Sequence, residues 1–446
     1  MDTLPLPRRP DLAQYKKRAK ELVIAARSAD LNAVRAWAEA WLRALASALG
    51  TPITPFVEDS MHRAIDRVER RVRDTATERE LSLADAQFLI ASAHSFETWA
   101  AFVRHVEGLT RSDRETSNFE KAADAIVDGD LPMLEALVRE HPELIRARSE
   151  REHHVTLLHY IAANGVEDFR QKTPPNAVAI ARFLLEHGAE VDAGADTYGG
   201  NVWQTPMNLL VSSAHPDGAG LQAALAEVLL DFGAAVNGVA NDESPIMTAL
   251  DFGYGDTAET LERRGARVDN VVLAAALGRI DLVRHYVIDA NTLAPNLPLI
   301  APHWRHMPND ATVHLELALA WACKFARVDV ANILLDRGVD PASADGYKMT
   351  ALHWAAANGC TDLVKRLIAA KVPLEVENVW QGTVLDSTAH FAMHMPVEGA
   401  DYGAIFQLLI DAGADVSVLA PYPAGNKPLD DVRRRHRVPI PAALQC

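Results

Sequence analysis

Cysteine is almost absent: three in 446 residues, Cys323, Cys360 and Cys446, with no CxxC pair. An odd count at those spacings argues against a disulfide framework and fits a reducing compartment, so a cytoplasmic protein is expected. No apolar run approaches the roughly 18 residues that span a bilayer. The first ten residues carry Arg8 and Arg9 with no apolar stretch behind them, so neither a membrane span nor a secretory signal is expected. Sequence signatures of catalysis are missing too. There is no G-x-S-x-G, no P-loop and no G-x-G-x-x-G after a strand, and no cofactor is expected. Positive charge is in deficit, with 44 Lys and Arg against 60 Asp and Glu and a net charge of −16. The first 110 residues are near neutral, 16 basic against 15 acidic, so the acidity belongs to residues 111–446. A field of that sign repels phosphate backbones and favours cationic partners, which disfavours nucleic acid as a ligand.

At 446 residues the chain is too long for one ordinary core, so several domains or a repeat array are expected. Sliding the chain on itself finds the repeat. Thr350-Ala-Leu-His-Trp-Ala-Ala-Ala-Asn-Gly359 nearly copies Thr156-Leu-Leu-His-Tyr-Ile-Ala-Ala-Asn-Gly165. Thirty-three positions earlier, Trp321, Asp329 and Leu334 match Trp354, Asp362 and Leu367. Thr350 and Thr156 are natural helix N-caps. Thr205-Pro206 and Ser244-Pro245 add proline at the first helical position. Leu363, Val364, Leu367 and Ile368 form the apolar stripe of a second helix. Second helices end at Gly188, Gly233, Gly265, Gly338 and Gly413, where left-handed backbone is easy; Lys371 takes that place once.

A 33-residue period with a T-x-L-H-x-A core resembles the ankyrin repeat, which implies a finger and two antiparallel helices per unit. The fold class expected is all-α, an ankyrin-repeat solenoid over residues 111–446. Eight helix pairs begin near Glu120, Thr156, Thr205, Ser244, Asp269, Leu317, Thr350 and Thr383, and "KPLDDVRRRH" from Lys427 forms a C-terminal cap. Enlarged turns interrupt three units, and a stretch with four prolines at 293–310 replaces one finger. Residues 1–110 form a separate helical module, with helices expected at 11–29, 31–48, 56–76, 83–94 and 96–107. Its segment "LADAQFLIASAHSFETWAAFVRHV" resembles one that precedes the repeats in bacterial ankyrin-repeat proteins of unassigned function. The module is read as a cap over the first repeat, with a recognition domain as the alternative.

The resemblance implies a concave groove lined by finger tips and by the exposed ends of first helices. Projected onto this sequence, that register places Tyr198, Trp203, Tyr347 and Trp380 in or beside fingers. Asp251-Phe252, Lys324-Phe325, Ala357-Asn358 and His390-Phe391 fall at the helix ends. Aromatics on an acidic groove anchor partners, so a protein or peptide partner of basic character, bound by a monomer, is expected. His303, Trp304, Arg305 and His306 in the Pro-rich loop are further contact candidates. The alternative is an enzyme or small-molecule binder with that loop and the enlarged turns as pocket walls. His159 and His353 are read as hydrogen-bonding struts between units. Asp386, His390 and His394 share i, i+4, i+8 spacing and are weak metal candidates, outweighed by the reading without metal.

Overall fold

The computed structural model describes residues 3–28, 30, 32–109, 115–198, 202–300 and 308–438. The chain divides into two compact units, Met1–Gly265 and Ala266–Cys446. Among the described residues there are helices and isolated β-bridges but no strands.

The first unit opens with five helices: α1 (Leu12–Ala26), α2 (Ala33–Leu49), α3 (Pro55–Glu78), α4 (Leu83–Ala93) and α5 (Trp99–Leu109). The capping pattern Ser82–Asp85 is a full capping box, which fixes the start of α4. Tyr15, Trp37, Trp41, Leu42, Leu89, Ile90 and Phe102 fill the core of this bundle. Four helix pairs follow. They are α6 (Glu115–Asp128) with α7 (Leu131–Glu140), a 3-10 helix (Leu157–Ala162) with α8 (Ala177–Glu186), α9 (Pro206–Leu210) with α11 (Gln222–Asp231) across the short α10 (Ala214–Gly218), and α12 (Ser244–Phe252) with α13 (Gly255–Arg263). First helices pack on first helices, and α8, α11 and α13 on one another, so the pairs form two layers.

The second unit holds α14 (Val271–Ala276) with α15 (Ile280–Tyr286), α16 (Ala311–Lys324) with α17 (Val328–Asp336), α18 (Ala351–Ala357) with α19 (Thr361–Ala369), and α20 (Val384–His394) with α21 (Tyr402–Asp411). The last helix, α22 (Lys427–His436), closes the array. Its Arg433 is buried and donates to the carbonyls of Leu419, Tyr422 and Pro423. Eight pairs and a terminal helix among the described residues make the expected all-α ankyrin-type solenoid, with a helical region before it.

Local chemistry sets the pair boundaries. Thr205, Thr350 and Thr383 cap α9, α18 and α20 through their hydroxyls. Ser244 departs from the expected cap: it is the first residue of α12, and Glu243 precedes it at φ +61°. The element after Thr156 is a six-residue 3-10 helix, ended by Ala163 at φ +47°. The enlarged turn that follows leaves the repeat altogether. Its Phe169 is buried in the core of the five-helix bundle, its Asp168 accepts from the Ser60 hydroxyl, and the Thr51 hydroxyl donates to the Phe169 carbonyl at 3.2 Å.

Candidate functional site

In the second unit, equivalent positions of successive fingers and first helices bring an aromatic ridge together. Tyr347 follows the turn made by Asp345, whose carboxylate accepts from the Tyr347 and Met349 amides at 2.9 and 3.0 Å. Asn378 does the same one repeat later, accepting from the amides of Trp380 and Gly382 at 2.9 and 3.0 Å. The Val379 amide donates to the Tyr347 carbonyl at 3.0 Å, so the two finger tips are tied to each other. Their rings consequently stack nearly parallel, with centroids 5.6 Å apart and an 11° interplanar angle. Trp380 remains 68% exposed.

Lys324 lies beneath this stack. Its Nζ is 5.3–5.6 Å from the centroids of Trp321, Phe325, Tyr347 and Trp354, a cage of four rings that stabilises the cation through their faces. Trp354 donates its indole N–H to Asp345 at 2.9 Å and meets Phe391 edge-on at 6.0 Å. Burial raises the Asp345 carboxyl above its ordinary range, against the Trp354 hydrogen bond and the charge of Lys324. Asn358 spends its amide on the carbonyls of Cys323, Lys324 and Trp354.

The projected groove therefore divides. Tyr347, Phe325 and Phe391 are half-buried and Trp380 and His390 exposed, all in one connected patch. Lys324 does not face solvent as expected; it is 9% exposed. Asp251 is likewise buried, at 5%, while its neighbour Phe252 is 48% exposed and stacks on Tyr254. Consecutive helical residues point about 100° apart, which buries Lys324 and Asp251 while Phe325 and Phe252 keep surface; of the projected pairs only His390-Phe391 contributes both members to the patch. Trp321, Trp354 and Asp345, which complete the ridge, were not among the expected site residues. The 33-residue spacing of the two tryptophans was the available signal.

In the first unit, Tyr198 is 40% and Trp203 54% exposed. The Tyr198 hydroxyl donates to Asn164 Oδ1 at 3.1 Å, and Trp203 lies against Gly194, where a Cβ would come within 3.1 Å of the ring. His303, Trp304, Arg305 and His306 lie outside the described residues. The metal candidates do not converge. Asp386 accepts from the Tyr422 hydroxyl at 2.9 Å, the His390 and His394 rings lie 4.6 Å apart at a 47° tilt, and His394 ends its helix. Among the described residues no group of three His, Cys, Asp or Glu side chains could hold a metal ion.

The two repeat histidines are structural in their contacts. His159 Nδ1 accepts from the Thr156 amide at 3.1 Å, which leaves Nε2–H to donate to the Gln204 carbonyl at 3.3 Å in the next finger. His353 Nδ1 accepts from the Thr350 amide at 3.1 Å. Burial lowers both imidazoles to about 4, so they are neutral at physiological pH.

The enlarged turns do border a depression, of about 840 Å³, lined by Phe169, Lys172 and His215 with Arg8, Arg9 and Leu49. Its charges answer one another. Arg8 pairs with Asp124 at 3.4 Å and with Asp128, Lys172 with Asp128 at 2.7 Å, and Arg170 with Asp124 at 2.5 Å.

The family comparison fits the repeats of the second unit. Residues 271–378 and 319–420 match the family model for ankyrin repeats in three copies. A curated relative, an ankyrin repeat domain-containing protein SAT10 of the fungus Stachybotrys chartarum, is 22% identical over 257 residues. That match takes in 49% of this chain, and this chain spans 13% of the relative's length. Among solved structures, the human ASB11 ankyrin repeat domain is 21% identical, covering 66% of this chain and 98% of that one, with a TM-score of 0.31. Residues 271–420 thus carry ankyrin repeats, a general protein-interaction scaffold. Among the described residues no helix is long and apolar enough to cross a membrane.

Proposed function

We propose that this protein is a monomeric partner-binding scaffold that anchors a protein or peptide on the aromatic ridge of its second unit. The observation that carries the reading is the Tyr347–Trp380 stack, an exposed indole braced from below. A large ring already held in place buries area on binding with little further loss of rotamer freedom, which is what concentrates affinity at such residues. The basic character proposed for the partner draws on the first unit, where residues 111–265 hold 26 Asp and Glu against 12 Lys and Arg; residues 266–446, which carry the ridge, are nearer balance at 19 against 16. Phe252, Tyr198 and Trp203 add exposed rings within that acidic stretch. The residues 1–110 are proposed to act as a cap, supported by the Phe169 turn that plugs their core. Two free thiols, Cys323 and Cys360, are consistent with a cytoplasmic protein. The rival pocket formed by the enlarged turns is less favoured, because three of its cations, Arg8, Arg170 and Lys172, already meet Asp124 and Asp128 of the same chain.

The test is capture of partners from a lysate of the source organism by the wild type and by the Tyr347→Ala, Trp380→Ala double variant. A partner held by the first and weakened about tenfold or more by the second supports the ridge. Equal retention by both overturns it.

A further inference from the structure

Between Lys371 and Lys427 the chain has no Lys or Arg at all, while residues 372–426 hold seven Asp and Glu. This stretch contains the finger of Trp380 and the helices α20 and α21. Carboxylates with no basic residue among them in sequence draw cations from solution. In its middle lie two exposed imidazoles, His390 and His394, one turn apart on α20. The three-residue set expected from the sequence does not assemble, because Asp386 accepts from the Tyr422 hydroxyl, but the histidine pair remains with its ring centres 4.6 Å apart. Among the described residues neither ring has a hydrogen-bond partner; the rings meet each other and, for His390, Phe391. Burial and then the charge of His394 lower the His390 imidazole below its ordinary range, against the pull of Asp386, which leaves its nitrogen lone pair unprotonated at pH 7. The helix ends at His394, and the partial negative charge of a helix C-terminus favours a cation there.

An imidazole nitrogen binds a first-row metal ion at about 2.0–2.1 Å, with the ring centre about 1.1 Å further out. Two rings at right angles about one ion therefore have centres about 4.5 Å apart, and two at the tetrahedral angle about 5.2 Å. The 4.6 Å of this pair fits the right angle. We infer that His390 and His394 chelate one divalent ion of the Cu(II) or Ni(II) class, taking two adjacent positions of a tetragonal site. Right-angled positions suit those two ions, whereas Zn(II) settles into tetrahedral sites. Solvent fills the remaining positions, so two protein ligands suffice. The site adjoins Phe391 of the aromatic patch, but it does not depend on that patch binding a partner.

The probes are NiCl2 and ZnCl2, titrated calorimetrically into the full chain after treatment with a chelator and its removal. Saturable binding of Ni2+ is expected with a Kd below about 100 μM, and tighter than that of Zn2+. His390→Gln and His394→Gln each remove one of the two ligands, so each should weaken Ni2+ about tenfold or more. Both positions are exposed, and circular dichroism should show both variants folded as the wild type is. No saturable binding up to about 1 mM Ni2+, tighter binding of Zn2+ than of Ni2+, or undiminished Ni2+ binding by a folded variant of either histidine each overturns the inference.

Discussion

Lys371 stands where five other second helices place glycine, and it keeps the glycine backbone at φ +61°. A side chain in that region costs about 1 kcal/mol, so Lys371→Gly should raise stability by about that amount in urea denaturation. A lower midpoint would mean that the lysine makes a compensating contact. The buried histidines make a second prediction. His159 and His353 are held near 4, and His94 and His153 near 3, in each case chiefly by burial. Because the unfolded chain binds protons near pH 6.5 that the folded chain refuses, their stabilisation is full above that pH and is lost as pH falls towards 4. The slope is about 1.4 kcal/mol per pH unit for each histidine. Denaturation midpoints at pH 7, 6 and 5 should decline accordingly, and His353→Gln should make the decline shallower. A slope identical to wild type in that variant would contradict the assignment. The strut role was legible for His159, which bonds Gln204 of the next finger, whereas His353 Nδ1 bonds Thr350 of its own repeat. The fates of Lys324 and Asp251 were not, because a register read from sequence gives a position along the helix and not its rotation.

At the scale of elements, the enlarged turn between the 3-10 helix and α8 does what no motif announces. It carries Glu167 and Arg170 into a buried charged cluster with Glu120, Arg151 and Tyr160. Burial opposes ionisation of Glu167, but Arg151 and Arg170 outweigh it and hold the carboxyl below its usual range. The members are unequal. Glu167 accepts from Tyr160 at 2.7 Å and from Arg170 at 2.6 Å, whereas the Arg151 guanidinium pairs at 3.3 and 3.5 Å with no hydrogen-bond partner. Glu167→Gln should therefore cost about 3–5 kcal/mol, since it leaves two buried cations short of a counter-charge. Arg151→Met, which leaves Glu167 still bonded, should cost far less or nothing. The reverse order in chemical denaturation would show that Arg151 is the keystone. Helix positions, the caps at Thr205, Thr350 and Thr383 (though not at Ser244) and the five helices of the bundle could be read in advance, because they follow from local periodicity and capping chemistry. This cluster could not, since its members come from different elements that only folding brings together.

For the whole molecule, the account rests on one surface. Trp380 and its stacked neighbour Tyr347 are held outward by finger turns that recur at the repeat period, above a caged lysine, and this is taken to be where a partner is anchored. The most direct measurement places a photocrosslinking amino acid at position 380 in one sample and at the exposed second-helix position 365 in another. Both are irradiated in lysate of the source organism, and the adducts are identified by mass spectrometry. The account predicts one protein crosslinked from position 380 and absent from position 365, with its yield reduced by Tyr347→Ala. A partner crosslinked from position 365 and never from 380 would contradict it.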